Sequence, residues 1–338
     1  MTRTPLHRKP VLAVAAAILL IAVAAIIVSI VTSQRPRTAT PFAPDSIWNA
    51  PLPTGAPVGS DSAVLVNELN RQVASDGTWI NSYAYSTPVY TVPGGQGRVP
   101  VRLGDPTRST SAERLARVFA AGIPIPANAV PAPGTDGDMV IWQPSTDTMW
   151  ELWIARHEGS HWTAEWGGKM SNVSNNPGYF TSPSDWGTAA TSLALLGGTI
   201  TPTELRSGHI GHALSISIPE ARAGVYASPA QRTDGKLDSP AGIPEGTRFR
   251  LDPSLNIAKL GLPPVTRMLA YAAQRYGLFV RDQSGVVAFY AEQTPTDLPN
   301  PYYGKAGLFA GLDPKQITEA FPWSHLEVVR SPLHPAAG

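Results

Sequence analysis

The sequence predicts a mainly β domain, a β-sandwich or jelly roll with a few peripheral helices, preceded by an N-terminal transmembrane helix. Three observations carry this. Short apolar or alternating runs recur between Gly/Pro turn clusters in a chain of 338 residues with 34 Pro and 30 Gly. No alternation of strand and helix around a Gly-rich phosphate loop is found, since Gly94-Gly95-Gln96-Gly97 lies between two strand-like runs and opens no helix. Val11 to Val31 is apolar apart from Ser29.

At 1.5 Å per residue that run covers about 30 Å, the hydrocarbon thickness of a bilayer. A cleaved signal peptide has an apolar core of only about 7 to 15 residues, and Val31-Thr32-Ser33 is a poor cleavage site. Residues 11–32 therefore read as a signal anchor, with secretion as the alternative if the segment is cleaved. Arg3, Arg8 and Lys9 precede the run while Arg35 and Arg37 follow it, a slight bias that leaves residues 1–10 as a cytoplasmic tail. Residues 33–57, rich in Pro, Thr and Ala, read as a stiff tether, and 58–338 as one extracytoplasmic domain without internal repeats.

Within the domain, Asp61 to Val73 places Leu65, Val66, Leu69 and Val73 on one helical face, and Thr110-Ser111-Ala112-Glu113 has the spacing of a capping box. The clearest helix runs from Pro263 or Pro264 to Tyr276, with Gly277 as its stop, and a last one starts at Asp313-Pro314-Lys315-Gln316. Strands are expected over 88–92, 99–103, 139–143, 148–156, 161–166, 212–218 and 248–251. A hairpin is expected in which 278–282 and 286–292 flank Gln283-Ser284-Gly285.

Composition narrows the function. A formal charge of +1 with no basic run argues against nucleic acid as a partner. The absence of Cys removes disulfides, thiolate nucleophiles and cysteine-ligated zinc. His157-Glu158-Gly159-Ser160-His161 matches the H-E-x-x-H zinc motif, but that motif needs a helix to bring both imidazoles to one face. Here the flanks are strand-like and Gly159 makes a turn, so a hairpin tip is expected and no metal is assigned to it.

Other residues carry more promise. Alternation along Thr148 to Ile154 puts Glu151 with Met149 and Trp153 on one sheet face. Lining a cleft, that face would raise the carboxyl's pKa and offer an indole to a sugar ring; facing outward, it would be solvated. Trp162 to Trp186 interleaves Trp166 and other aromatics with Asn172 and further amides, which suits a polyhydroxylated ligand or a loop pinned by its own rings. His212 falls on the apolar face of its strand, as a satisfied core histidine or a base. Asp282 precedes a turn, and Arg250 could pair with an acid or an anionic ligand.

Several strings occur together in order: Asp147-Thr148-Met149-Trp150-Glu151-Leu152-Trp153, Ala190-Thr191-Ser192-Leu193-Ala194-Leu195-Leu196-Gly197-Gly198, Ile210-Gly211-His212-Ala213-Leu214, Thr247-Arg248-Phe249-Arg250-Leu251 and Tyr276-Gly277-Leu278-Phe279-Val280-Arg281-Asp282. Over roughly residues 42 to 330 the chain resembles a group of secreted proteins of actinobacteria and other soil bacteria. In that pattern Glu151, His212, Arg250 and Asp282 fall on recurring polar positions, whereas His157 and His161 do not. The resemblance implies a secreted β-rich domain and brings no established activity.

The resulting expectation is an extracytoplasmic carbohydrate-active or glycan-binding protein whose partners are a polysaccharide or cell-envelope glycan and, through its N-terminal helix, the membrane. As a glycoside hydrolase it would use Glu151 as acid with Asp282 or Asp185 as partner. As a polysaccharide lyase it would use His212 or a tyrosine as base and Arg250 to neutralise a uronate. Trp153, Trp166, Asn172 and Arg250 would bind substrate, and no cofactor is expected. A non-catalytic glycan-binding module and an envelope scaffold whose aromatics are core remain the alternatives.

Overall fold

The computed structural model describes residues 40–159, 161–294 and 299–336, so the apolar run at 11–31 lies outside the described residues. Among those described, no helix is long and apolar enough to cross a membrane. From the N-terminus come α1 (Ser62–Asp76), β1 (Thr78–Asn81), β2 (Thr87–Thr91), β3 (Val101–Leu103), α2 (Thr110–Ala120) and β4 (Met139–Gln143). Then follow β5 (Thr148–Trp153), β6 (Arg156–Glu158), β7 (His161–Ala164), β8 (Trp166–Ser171), α3 (Pro202–Ser207) and β9 (Leu214–Ile218). Next are β10 (Ala221–Ala227), β11 (Ile243–Glu245), β12 (Arg248–Leu251), α4 (Pro264–Arg275) and β13 (Leu278–Gln283). The chain closes with β14 (Val287–Tyr290), β15 (Glu292–Gln293), α5 (Pro314–Glu319), β16 (Leu326–Val329) and β17 (Leu333–Pro335).

The molecule is mainly β. Its strands form a six-stranded sheet, β1-β14-β9-β13-β12-β16, a five-stranded sheet, β15-β2-β4-β5-β8, and two three-stranded sheets, β11-β10-β17 and β3-β7-β6. Both large sheets are mixed: β1 with β14 and β9 with β13 are parallel in one, and β15 with β2 and β2 with β4 in the other. Every residue of β9 is buried, Ser215 and Ser217 included, as a strand covered on both faces requires. The Ser217 hydroxyl is paired with Tyr290 OH at 2.5 Å.

The local signals with the most chemistry behind them hold. In α4 the residues Val265, Leu269, Ala272 and Ala273 are buried against Leu214, Ile216 and Ile218, each buried Leu or Ile contributing about 2 kcal/mol in removed apolar surface. Tyr276 caps the helix and Gly277, at φ 80°, turns the chain into β13. Asp313 and Gln316 form the reciprocal capping box of α5. In α2 the cap lies one residue earlier than expected: the Ser109 hydroxyl accepts from Ala112 N–H.

Three expectations change. The strand beginning at Thr148 stops at Trp153 because Ile154 takes a left-handed φ of 49°. The 278–292 hairpin is not formed: β9 lies between β13 and β14, parallel to the first and antiparallel to the second, so the turn at 283–285 spans a whole strand. Residues 40–57 are not a free tether, since Phe42 and Trp48 are buried in the core shared with Trp150 and Phe279. By contrast, the H-E-x-x-H string does sit on a hairpin, with Glu158 opposite His161 and Gly159 at φ 63°.

Trp48 donates its indole N–H to the Gly178 carbonyl at 2.8 Å, and a methyl group at Gly197 would overlap its ring. We expect Gly197→Ala to destabilise the protein by about 1–3 kcal/mol. Combined with Trp48→Phe the losses should be less than additive, measured as a double-mutant cycle in denaturant.

Candidate functional site

A cleft of about 430 Å³ opens where the two large sheets come together. Trp153 and Trp166 are register partners on the antiparallel pair β5 and β8, so their side chains leave the same sheet face and both line the cleft. The Arg108 guanidinium lies 3.9 Å over the Trp166 ring, and Tyr85 completes an aromatic rim.

The acidic wall comes from two places. Asp136 and Asp138 flank Gly137 just before β4, and the main chain there is clamped to the end of β5: Ile154 N–H donates to the Asp136 carbonyl at 2.6 Å and Ala155 N–H to the Gly137 carbonyl at 3.0 Å. Arg281 and Asp282 come from β13. Neighbours on a regular strand face opposite sides, but the pairing of β13 with β9 shifts between Val280 and Asp282, and this bulge lets both residues reach the cleft.

Beneath the wall runs the irregular segment 187–195, whose backbone groups are satisfied by charged side chains. Glu151 accepts from Leu195 N–H at 2.6 Å through Oε1 and from Thr188 N–H at 3.2 Å through Oε2. Asp282 Oδ2 accepts from Ala190 N–H at 3.0 Å. Arg232 donates to the Gly187 and Ala189 carbonyls and to Ser192 Oγ, while Arg281 donates to the Leu195 carbonyl at 3.1 Å. Three buried polar atoms of cleft residues are left without a partner: Asp138 Oδ1, Thr188 Oγ1 and Arg281 Nε. In a folded protein such atoms are uncommon.

Electrostatics favour neutral acids here. Burial, with Asp136 beside it, holds the Asp138 carboxyl well above the usual carboxylate range. Burial pushes Asp282 up to about 6 and Glu151 to about 7, in each case against backbone N–H donors that favour the ion. Glu245, next to Asp282, is pushed to about 8 by burial and by that neighbouring charge.

The structure distributes the sequence candidates unevenly. Asp282, Trp153 and Trp166 meet in the cleft. Glu151 is desolvated, on a strand whose two faces are both covered, and both of its oxygens are engaged by the segment above. Asp185 lies to one side, where Oδ1 accepts from Ser111 Oγ. Asn172 is a left-handed turn residue after β8, bonded to Asn175. His212 and Arg250 are at the other end of the six-stranded sheet, since Leu214 pairs with Leu278 and Phe249 with Leu278, while Asp282 is four residues further along.

At that far end both candidate groups are occupied. His212 contacts Glu204 through Nε2 at 3.2 Å and the Ala213 carbonyl through Nδ1 at 2.7 Å; burial opposes its charge, but the Glu204 carboxylate prevails and raises its pKa. Arg250 pairs with Glu327 and donates to the Pro53 and Ala56 carbonyls. A groove of about 440 Å³ beside Arg250 is lined mostly by neutral residues together with His209 and the exposed Arg275.

Asp138, Arg281, Arg232, Asp234 and Glu245 escaped sequence reasoning. The Asp residues sit in Asp-Gly strings that read only as turns, and Arg281 is adjacent to a residue that was singled out. No family model, curated protein or solved structure matches the chain.

Two outcomes follow from the buried acids. Glu151→Gln keeps the volume but sets an NH2 group against one of two backbone donors, so we expect a loss of about 1–3 kcal/mol and a melting temperature lower by several degrees. Glu151 and Glu245 hold protons in the folded state up to about pH 7 and 8, whereas unfolded they release them near 4.5. Their contribution to stability is therefore full below about pH 4.5 and declines as pH rises to about 8. Thermal melts in EDTA at pH 5 and pH 8 should show the lower melting temperature at pH 8.

Proposed function

We propose that this is an extracytoplasmic carbohydrate-active protein whose cleft holds a polysaccharide or cell-envelope glycan, with Asp138 as proton donor and Asp282 as its partner carboxylate. The observation that carries the reading is one cleft lined both by two acids of raised pKa and by the indoles of Trp153 and Trp166. Rings cover the apolar faces of a sugar, and a desolvated acid of raised pKa is suited to give its proton to a leaving oxygen. In this reading Glu151 holds the floor in place rather than touching the substrate.

The large sheets are taken as facing layers of a distorted sandwich; in support, Phe279 of the six-stranded sheet packs in one core with Met149, Trp150 and Trp48. The apolar run at 11–31, with its preceding basic residues, supports a single-pass anchor that leaves the domain outside the cell. Protease added to intact cells should then remove the domain, and a protected full-length chain would refute that placement.

The catalytic reading is tested by screening the protein against polysaccharides for binding and for reducing-end release. Asp138→Asn should lower turnover by at least about 10²-fold while binding persists. Trp153→Ala should weaken binding about tenfold. Binding without turnover in the unaltered protein would leave the non-catalytic module. Neither binding nor turnover by a folded protein would overturn the proposal.

A further inference from the structure

We propose that Asp234, Glu245 and Asp282 form a divalent-cation site at one edge of the cleft, of the oxygen-ligated kind that Ca2+ fills. One carboxylate oxygen from each residue lies within 4.8 Å of the other two. Ligand oxygens placed about 2.3–2.6 Å from a shared Ca2+ are separated by no more than roughly this distance. The residues come from three separate elements: Asp234 from the connection between β10 and β11, Glu245 from the end of β11 and Asp282 from the bulged end of β13.

Glu245 supplies an independent sign of a missing ligand. Its side chain is 0% exposed; Oε2 accepts from Thr233 Oγ1 at 2.6 Å and Asp234 N–H at 3.1 Å, whereas Oε1 is buried without any partner. An oxygen left in that state is costly to a folded protein, so it calls for a partner.

The other two carboxylates are oriented by neutral donors. Asp234 Oδ1 accepts from Gln283 Nε2 at 2.8 Å, and Asp282 accepts from the backbone N–H groups of Ala190 and Gln283. Among the described residues no salt bridge reaches any of the three acids. Arg232 is near enough to feel the charges of all three, but its hydrogen bonds go to the carbonyls of Gly187 and Ala189 and to Ser192. Three carboxylates therefore face one another with fixed orientations and no cationic side chain bonded to them. A proton would neutralise one of them, while a divalent cation would serve all three.

The donor set selects the metal class. Carboxylate oxygens with neither His nor Cys suit a hard cation rather than Zn2+ or Cu2+. Ligands drawn wholly from side-chain carboxylates fit Ca2+ better than Mg2+, which keeps several waters. Asp234 is exposed, so the remaining coordination positions open to solvent. This site shares Asp282 with the glycan reading and is tested separately from it, because the metal alone is its probe.

The full chain in detergent, stripped with EDTA, is titrated with CaCl2 by calorimetry and followed by thermal melting. We expect one Ca2+ per chain with a Kd on the order of 0.1–1 mM, the range of extracellular calcium modules, and a melting temperature that climbs with Ca2+ concentration. Glu245→Gln and Asp234→Asn should each weaken binding at least tenfold, while Asp136→Asn, a cleft acid outside the cluster, should leave it within about twofold. Asp234→Asn changes an exposed group, so it decides the matter if Glu245→Gln does not fold. No binding up to about 10 mM Ca2+ by a folded chain would overturn the proposal. So would equal weakening by Asp136→Asn, which would mean diffuse attraction to the acidic wall. Failure of glycan binding with Ca2+ binding intact would count against the glycan reading alone.

Discussion

Everything around the cleft depends on the need to satisfy an irregular backbone segment, 187–195, deep inside a β protein. The N–H groups of Thr188, Ala190 and Leu195 have no strand to pair with, and a buried N–H without an acceptor is rarely tolerated. Glu151 from the five-stranded sheet accepts two of them and Asp282 from the six-stranded sheet accepts the third. The segment thereby ties the sheets together, and Thr191 Oγ1 adds a bond to the Arg281 carbonyl of the six-stranded sheet. Desolvation drives the Glu151 pKa up, yet removing the carboxylate would orphan two donors at once.

That arrangement also makes the cleft rigid. The wall residues Arg281 and Asp282 owe their positions to one bulge, and the opposing Trp153 and Trp166 owe theirs to strand register. None of these side chains sits on a long free loop, and groups held on strands by packing and hydrogen bonds keep their geometry when a ligand arrives. The unpartnered Arg281 Nε is thus fixed in advance rather than drawn in.

What could be read from the chain was what is encoded locally. The apolar stripe of α4, the Asp313 cap of α5 and the strands Met139–Gln143 and Arg248–Leu251 each follow from periodicity or cap chemistry within a dozen residues. The Thr201-Pro202-Thr203-Glu204 start of α3 carried the same signal and was legible but overlooked. Pairing was not legible. Nothing in Gln283-Ser284-Gly285 shows that Leu214–Ile218 will enter between the flanking strands, because that choice rests on contacts some sixty residues away. Likewise, alternation gave Glu151 an apolar neighbourhood but could not supply the backbone segment that engages it. At 40–57 the Pro-rich composition outweighed Phe42 and Trp48, the two residues that seat it in the core.

The placement of β9 bears on how such a chain acquires its shape. Both neighbours of Leu214–Ile218 are made later: β13 begins at Leu278 and β14 ends at Tyr290. Until β13 has been synthesised this wholly buried strand has two open edges, and one stays open until residue 290, the arrangement most prone to pairing with another molecule. Pairing across that separation must also await closure of a loop of some sixty residues, which slows folding. A chain shortened before Leu278 would expose β9 permanently, and its expected fate is aggregation rather than a smaller folded core.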